Sequence, residues 1–324
     1  MTPFAYQRPA RVDEAIAAGA DRGARFVAGG TNLLDLMKID VEEPAVLIDI
    51  NRLPLAAIEA TPAGVRIGAL ARMADVAAHP AIVDGYPAVS QALLASASPQ
   101  LRNMASIGGN LMQRTRCTYF RDTAFPCNKR VPGSGCSAIP GDHRRHAVLG
   151  VSSACIAAHA SDLAVALVAL DASLRLRGPR GERSLPLDDF YRLPGDTPQV
   201  ENALQPGEMI VAVDLPASSP ARRSLYLKIR DRASFEFALV SAAVGLDLAG
   251  GAIREARVAL GGVGAKPWRA RAAEDRLRGQ VPGPEVFAAA AGAALEGAQP
   301  HPDNAFKVEL ARRTLVRALG QATT

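Results

Sequence analysis

Long apolar runs are absent from this 324-residue sequence, and no segment approaches the roughly 18 apolar residues that a membrane-spanning helix needs. The N-terminus has no basic region followed by an apolar stretch, so no secretory signal is predicted and we expect folding in the cytoplasm. Aromatic residues are also scarce, at 5%, and the arginines are spread along the chain. A net charge of +5 without a basic stripe or aromatic platforms does not indicate nucleic-acid binding. The length and the 48% hydrophobic content instead indicate a globular protein of about two domains.

Cysteines are few, but all four fall in one segment, residues 113–155, which is rich in Gly, Pro and Arg and lacks regular periodicity. They are Cys117, Cys127, Cys136 and Cys155. Two disulfides would need an oxidising compartment, and a structural zinc normally uses closely paired cysteines, which are missing here. A [4Fe–4S] cluster takes four thiolates, and its metal–sulfur bonds would order a loop that has little core. Spacing alone leaves these three alternatives open, and leaves open that one of three nearby histidines replaces a thiolate. These histidines are His143, His146 and His159.

Two glycine turns form the second group of candidate residues. Phe26–Leu33 reads as a strand, the turn Gly29-Gly30 and a helix start, and Ser106–Asn110 repeats the Gly-Gly pattern next to Ser and Asn. Such turns let a phosphate approach backbone amides at a helix N-terminus. Two of them suit a ligand with two phosphates, but neither is the G-x-G-x-x-G of a Rossmann site. Ser161-Asp162 opens an apolar helix as a predicted N-cap, and Gly261–Gly264 is predicted to be a turn.

Apolar patterning predicts α/β organisation in the first part of the chain and strands followed by helices in the second. The predicted boundary near residues 215–220 separates a domain 1–216, interrupted at about 113–155, from a domain 221–324. Predicted strands are 25–27, 45–50, 64–68, 224–229, 240–248 and 256–260, and predicted helices are 12–20, 33–38, 73–78, 88–95, 163–170, 284–295 and 308–319.

The glycine turns, the Ser161-Asp162 helix start and the later segments, in their order along the chain, resemble those of the FAD-binding medium subunit of the xanthine dehydrogenase and aldehyde oxidase family of molybdenum hydroxylases. The matching segments are Ala28–Leu33, Ser106–Asn110, Ser161-Asp162, Tyr226–Lys228, Asn304–Lys307 and Ala311–Arg313. Within that family, the cysteine segment resembles the flavoprotein subunit of bacterial periplasmic aldehyde oxidoreductases, through Arg114–Cys117, Pro126–Arg130, Pro132–Cys136 and His146–Gly150. Many relatives have Thr in place of Ser106, which keeps the hydroxyl.

The resemblance implies an α+β fold: an FAD-binding domain of the vanillyl-alcohol-oxidase type, made of two subdomains, then a small α+β domain of the CO dehydrogenase flavoprotein C-terminal type. It implies that Asp162 contacts the nucleotide part of FAD, and that Ile210 and Lys228 lie near the flavin. It also implies a [4Fe–4S] cluster on Cys117, Cys127, Cys136 and Cys155. The implied contacts to the FAD pyrophosphate are Val27, Ala28, Gly29, Gly30, Thr31, Asn32, Leu33, Leu34, Ser106, Ile107, Gly108, Gly109 and Asn110.

The function implied is that of an oxidoreductase subunit, which passes electrons from a [2Fe–2S] small subunit to an external acceptor while a molybdenum-cofactor large subunit oxidises the aldehyde. The chain shows no acid, base or nucleophile constellation of its own, which fits this role. The implied assembly is a heterotrimer or a dimer of heterotrimers, and related complexes reach the periplasm through a signal on the small subunit. Two other hypotheses are a flavoprotein whose cysteine segment binds structural zinc and serves only for docking, and a binding module without a cofactor.

Overall fold

A computed structural model describes residues 1–323 and contains three β-sheets, one in each of three successive units. The first unit comprises β1 (Ala5–Gln7), α1 (Val12–Gly19), β2 (Ala24–Val27), α2 (Leu33–Lys38) and β3 (Val46–Asp49). Its sheet is parallel with β3 in the centre, and Leu47 and Ile48 are buried, as expected for a strand with neighbours on both sides. Because β2 ends just before Gly29, the first glycine turn lies at the carboxyl edge of this sheet, where α/β folds bind ligands.

The second unit is built on a five-stranded antiparallel sheet. It comprises β4 (Ile58–Thr61), β5 (Gly64–Gly68), α3 (Met73–Ala78), α4 (Pro80–Gly85), α5 (Pro87–Ala95), α6 (Pro99–Met104), α7 (Ile107–Leu111), α8 (Thr118–Arg121), α9 (Asp162–Ala169), β6 (Ser173–Gly178), β7 (Gly181–Pro186), α10 (Leu187–Phe190) and β8 (Met209–Pro216). The strand order is β4-β5-β8-β6-β7. All eight residues of α9 are buried, which explains why this helix is apolar on every side.

The third unit follows residue 218 and packs helices on a four-stranded antiparallel sheet of order β12-β11-β10-β9. It comprises α11 (Ser219–Arg222), β9 (Ser224–Ile229), β10 (Val240–Ala249), β11 (Ala252–Gly261), β12 (Trp268–Arg269), α12 (Arg271–Leu277), α13 (Pro284–Ala294), a 3₁₀ turn (Pro302–Asn304) and α14 (Phe306–Thr323). Gly250 and Gly251, with φ of 59° and 80°, form the two-residue turn between β10 and β11. Positive φ at both positions is what a tight hairpin of this kind requires.

The cysteine segment, residues 113–155, has α8 as its only named helix or strand. An isolated antiparallel bridge pairs Cys127 with Cys136, and another pairs Ser152 with Cys155. No residue from 113 to 147 belongs to any hydrophobic core cluster of the described chain. Val148 and Leu149 are the exception in this segment, since they are buried in the core of the third unit.

The predicted elements are present, with bounds that differ by a few residues; the largest differences are four residues, at the start of β11 and at the end of α14. Gly262 has a φ of 72° and follows β11 directly, which confirms the predicted turn. The strands without a counterpart among the predictions include β4, β6, β7, β8 and β12. In β6 the signal is an alternation of buried leucines with partly exposed arginines, Leu174 and Leu176 against Arg175 and Arg177.

No helix within residues 1–323 combines the length and apolar character needed to cross a membrane.

Candidate functional site

Both glycine turns line one cleft of about 680 Å³ between the first and second units. The predicted FAD residues on its wall are Val27, Ala28, Gly29, Gly30, Thr31, Asn32, Leu33, Ser106, Gly108, Gly109 and Ile210. This volume lies within the range of small-molecule sites, about 300–1,000 Å³. The structure therefore brings together, from two distant parts of the sequence, most of the residues predicted to hold the pyrophosphate.

Close packing explains the glycine at position 29. A Cβ there would lie 2.0 Å from the carbonyl oxygen of Met104, just before the second glycine turn. Gly30 has a φ of 71°, a conformation that residues with a side chain rarely adopt. A Cβ on Gly108 would lie 3.0 Å from Cβ of Ala69. The two turns thus touch each other through backbone atoms, and only small residues allow this approach.

The two polar residues beside the turns have different partners. Ser106 is the N-cap of α7, and its Oγ accepts a hydrogen bond from the Gly109 amide at 3.2 Å. Asn32 stands at the start of α2 without making a side-chain cap; its Oδ1 instead accepts from the Arg114 amide at 3.2 Å. The first turn of α2 therefore begins at the cleft without a cap from Asn32, the arrangement in which helix amides remain available to an anion.

Asp162 and Lys228 lie away from this cleft and bind each other. Lys228 Nζ donates to Asp162 Oδ2 at 2.7 Å, and both side chains are buried. The same carboxylate accepts from Tyr226 Oη at 2.5 Å and from Ser96 Oγ at 3.0 Å. This ion pair joins α9 of the second unit to β9 of the third. The Asp162 carboxylate therefore accepts hydrogen bonds from three side chains of the protein.

Asp162 lines a second cavity, of about 140 Å³, which lies between the cysteine segment and the third unit. Arg116, Cys117 and His146 contribute to its wall from one side, and Phe237 and Gly262 from the other. The Arg116 guanidinium lies 5.1 Å from the Phe237 ring centre, a cation–π contact.

Helix α7 lines the glycine cleft, helix α9 lines the second cavity, and a hydrogen bond joins the two helices. Asn110, in α7, accepts a hydrogen bond at its Oδ1 from Ser161 Oγ at 2.5 Å, and Ser161 Oγ also caps α9 by accepting from the Ala164 amide at 2.9 Å. The predicted cap at Ser161 is thus present. The Ser106–Asn110 segment and the Ser161-Asp162 segment are fixed to each other, as a ligand running from one cavity to the other would need.

The four cysteines converge. Cys117, Cys127, Cys136 and Cys155 line a single small cavity, and all four are free thiols. Burial raises the pKa of Cys117 to about 12, and burial also raises that of Cys155, so without a metal both thiols keep their protons at neutral pH. Within residues 1–323, no three or more His, Cys, Asp or Glu side chains are arranged to hold a metal ion. Cys117 belongs to this cavity and to the second cavity at the same time.

Ion pairs, rather than a core, hold the cysteine segment to the second unit. Glu201, on the wall of the cleft, binds Arg114 Nε at 2.6 Å and Lys129 Nζ at 3.0 Å. Arg114 also pairs with Glu42. Burial alone would raise the pKa of Glu201, but Lys129 and Arg114 together bring it below its usual value. Local sequence pattern does not single out Glu201, because its partners Arg114 and Lys129 are distant along the chain.

The third unit fixes the other side of the segment through Lys307, whose side chain is 0% exposed. Its Nζ donates to the carbonyl oxygens of His146 at 2.9 Å, Gly262 at 2.6 Å and Arg145 at 3.3 Å. Burial lowers the pKa of Lys307 to about 7, with smaller contributions from Arg144 and Arg145. Lys307 belongs to the matching family segment Asn304–Lys307, but a sequence does not reveal that a lysine is buried.

The chain matches two family models. Residues 2–218 match the FAD binding domain in molybdopterin dehydrogenase, and residues 225–322 match the CO dehydrogenase flavoprotein C-terminal domain. It is 51% identical to the aldehyde oxidoreductase FAD-binding subunit PaoB of Escherichia coli K12, over 99% of both chains. It is 28% identical to the carbon monoxide dehydrogenase medium chain of Hydrogenophaga pseudoflava, over 98% of this chain and 96% of that protein.

Solved structures resemble the whole chain as well. Carbon monoxide dehydrogenase from Hydrogenophaga pseudoflava matches with a TM-score of 0.78 and 28% identity, over 100% of this chain and 99% of that one. Quinoline 2-oxidoreductase from Pseudomonas putida 86 matches with a TM-score of 0.77 and 25% identity, over 99% of this chain and 97% of that one. These matches confirm the predicted fold class, an FAD-binding domain followed by a small α+β domain.

Proposed function

The chain belongs to the family of FAD-binding medium subunits of molybdenum hydroxylases, and from this premise we propose that it carries both FAD and a [4Fe–4S] cluster in an aldehyde oxidoreductase. It is a subunit of an oxidoreductase. In the proposed role it passes electrons from a [2Fe–2S] subunit to an external acceptor. The observation that carries the proposal is the convergence of four free cysteines on one small cavity.

The geometry of the cleft supports FAD at the two glycine turns. Gly29 and Gly30 leave no room for side chains, and the uncapped start of α2 faces the same space. When bound, FAD supplies the redox chemistry, and the chain binds and orients it. In this proposal the turns hold the pyrophosphate, Asp162 contacts the nucleotide part of FAD, and Ile210 and Lys228 lie near the flavin.

Donor chemistry supports a cluster at the cysteines. The four sulfurs line one cavity without forming a disulfide, and the surrounding loop has no core of its own up to residue 147. Metal–thiolate bonds would supply the missing stabilisation and keep buried thiols deprotonated. The named ligands are Cys117, Cys127, Cys136 and Cys155.

Zinc is the alternative for the same four ligands, with the segment serving only for docking. A single zinc ion draws its sulfurs to about 2.3 Å from one point. The four cysteines also lack the closely paired spacing that a structural zinc site normally uses. A [4Fe–4S] cluster distributes its thiolates over separate iron atoms and so accepts ligands that are farther apart. This difference favours the cluster.

The proposed organisation follows from the same assignment. Residues 1–216 form the FAD domain, about 113–155 the iron–sulfur insertion, and 221–324 the C-terminal domain. The proposed partners are a molybdenum-cofactor large subunit and a [2Fe–2S] small subunit, and any export to the periplasm would occur with a partner subunit.

Cofactor content tests the proposal directly. Full-length protein purified without oxygen should contain one FAD, four irons and four acid-labile sulfides per chain. Single Cys→Ser variants at the four positions should lose iron and keep FAD, because the glycine cleft does not depend on the cysteines. Zinc without sulfide in the native protein would establish the docking alternative, and absence of FAD after gentle unfolding would contradict the proposal as a whole.

The electron-transfer role needs the assembled complex. After aldehyde is added without oxygen, flavin absorbance at this subunit should bleach only when the molybdenum and [2Fe–2S] subunits are both present. Bleaching by aldehyde in the isolated chain would contradict the relay role, since it would place substrate oxidation on this subunit.

A further inference from the structure

His146 is the one histidine of the cysteine segment whose ring reaches a cysteine sulfur in the described structure. Its Nε2 lies 3.1 Å from Cys117 Sγ, within hydrogen-bonding distance for sulfur. The side chain is 5% exposed. His143, three residues earlier, is equally buried but faces the third unit, where its Nε2 accepts from the Asp303 amide at 3.1 Å.

The backbone around His146 is held from several sides. Its amide donates to the His143 carbonyl at 2.9 Å, and its carbonyl accepts from Lys307 Nζ at 2.9 Å. The neighbouring Ala147 donates its amide to the Ile156 carbonyl at 2.9 Å and accepts at its own carbonyl from Asn304 Nδ2 at 3.2 Å. These bonds hold the backbone that carries the ring beside Cys117.

The protonation state of the Cys117 sulfur determines which of the two atoms donates the hydrogen bond. An iron-bound cysteine sulfur carries no proton and can only accept a hydrogen bond. The proton must therefore be on Nε2, and the neutral imidazole then leaves Nδ1 as an acceptor. A hydrogen bond to a cluster sulfur stabilises negative charge there, and the reduced cluster carries one more negative charge than the oxidised cluster.

We propose that His146 donates a hydrogen bond from Nε2 to the cluster sulfur of Cys117 and thereby raises the cluster's reduction potential. This inference rests on the cluster of the proposed function and adds a positioning residue to it. His146 does not ligate iron, and the four cysteines remain the ligands. Cys117 is also the one of the four cysteines that lines the second cavity as well as the cysteine cavity.

Redox titration of the full-length protein, followed by EPR of the reduced cluster, tests the inference. His146→Leu removes the donor with little change in volume, whereas His146→Gln keeps an N–H group near the position of Nε2. At the potential where the wild-type cluster is half reduced, the ratio of reduced to oxidised cluster should fall about tenfold in His146→Leu, equal to about 59 mV for one electron. In His146→Gln it should stay within about threefold of wild type. His143→Gln, which removes a buried histidine that makes no cysteine contact, should leave the ratio unchanged.

The outcomes separate this inference from the proposed function. Native protein without iron and sulfide would overturn both. A full iron complement with the same ratio in wild type and His146→Leu would overturn only the role of His146. Loss of iron from His146→Leu would also overturn it, because a hydrogen-bond donor is not needed to hold iron.

A measurement on unmutated protein gives a second test. In chains labelled with ¹⁵N-histidine, pulsed EPR of the reduced cluster should detect one weakly coupled nitrogen that is absent from His146→Leu. A strongly coupled nitrogen would identify His146 as a ligand and overturn the inference, as would the absence of any coupling.

Discussion

The glycine cleft and the cysteine segment are neighbours built on different principles. The cleft is formed by backbone packed against backbone, at the edge of a parallel sheet and the start of short helices. The cysteine segment has one helical turn, few buried apolar side chains before residue 148, and side-chain bonds to all three units. The cleft is therefore formed before its ligand binds, whereas we expect the cysteine segment to depend on metal for its order.

Metal removal should produce the largest difference between the glycine cleft and the cysteine segment. After anaerobic chelation of iron, we expect amide exchange in residues 113–147 to accelerate at least about 100-fold, because few buried apolar side chains protect them. Exchange in β2 and α7 should stay within about threefold of the loaded protein. Hydrogen exchange followed by mass spectrometry measures both, and equal acceleration in both regions would remove the distinction.

Gly29→Ala should damage the cleft alone. The new Cβ would meet the Met104 carbonyl oxygen at 2.0 Å, so one turn must move. We expect FAD affinity to fall at least about 30-fold, equivalent to about 2 kcal/mol, with iron content unchanged. Flavin titration and iron analysis provide the two readouts.

Gly320→Ala is the matched control, since an added Cβ at Gly320 meets nothing within 4 Å and the residue lies in α14. It should leave FAD affinity unchanged and stabilise the chain by less than about 1 kcal/mol. Normal FAD binding by Gly29→Ala would show that the turn is not close-packed in solution.

Glu201 lines the cleft and also pairs with Arg114 and Lys129 of the cysteine segment. We therefore expect Glu201→Gln to affect both regions, but less than metal removal or Gly29→Ala does. The variant keeps the shape of the side chain and removes the charge that Arg114 and Lys129 share. We expect the free energy of unfolding in urea to fall by about 1.5 kcal/mol. Asp275→Asn, at an exposed pair with Arg278, should change it by less than about 0.5 kcal/mol. Equal effects of the two variants would show that Glu201 does not fasten the segment.

Acid should reduce the contribution of Glu201 gradually. Its pKa is lower in the folded chain than the ordinary 4.5, so its stabilisation is fully present above pH 4.5 and declines as the pH falls through the lower folded value. The difference in unfolding free energy between wild type and Glu201→Gln should be constant from pH 5 to 7 and shrink below about 4.5. A difference that grows in acid would contradict this assignment.

The sequence predicted the parts of the site that depend on local pattern. The glycine turns, the cap at Ser161 and the gathering of cysteines are all visible within short windows of sequence. The ion pair between Asp162 and Lys228 joins residues 66 positions apart, and the bond from Lys307 to the His146 carbonyl joins residues 161 positions apart. Such contacts depend on how units pack, which periodicity and turn chemistry do not specify. For the same reason Asp162 and Lys228 were predicted beside the ligand, but not as partners of each other.

The bonds from Lys307 and Asn304 to residues 145–147 also set an order of events during synthesis. The ribosome makes the four thiols long before it makes α14. A nascent chain therefore carries the cysteines before Asn304 and Lys307, which hold one side of the segment, have been synthesised. Domains generally fold in the order of their synthesis, but this segment can bond to Asn304 and Lys307 only after the third unit has been synthesised. In the proposed metal-loaded protein, metal would therefore reach the four thiols after translation, and we expect truncation before residue 304 to leave them open to oxidation.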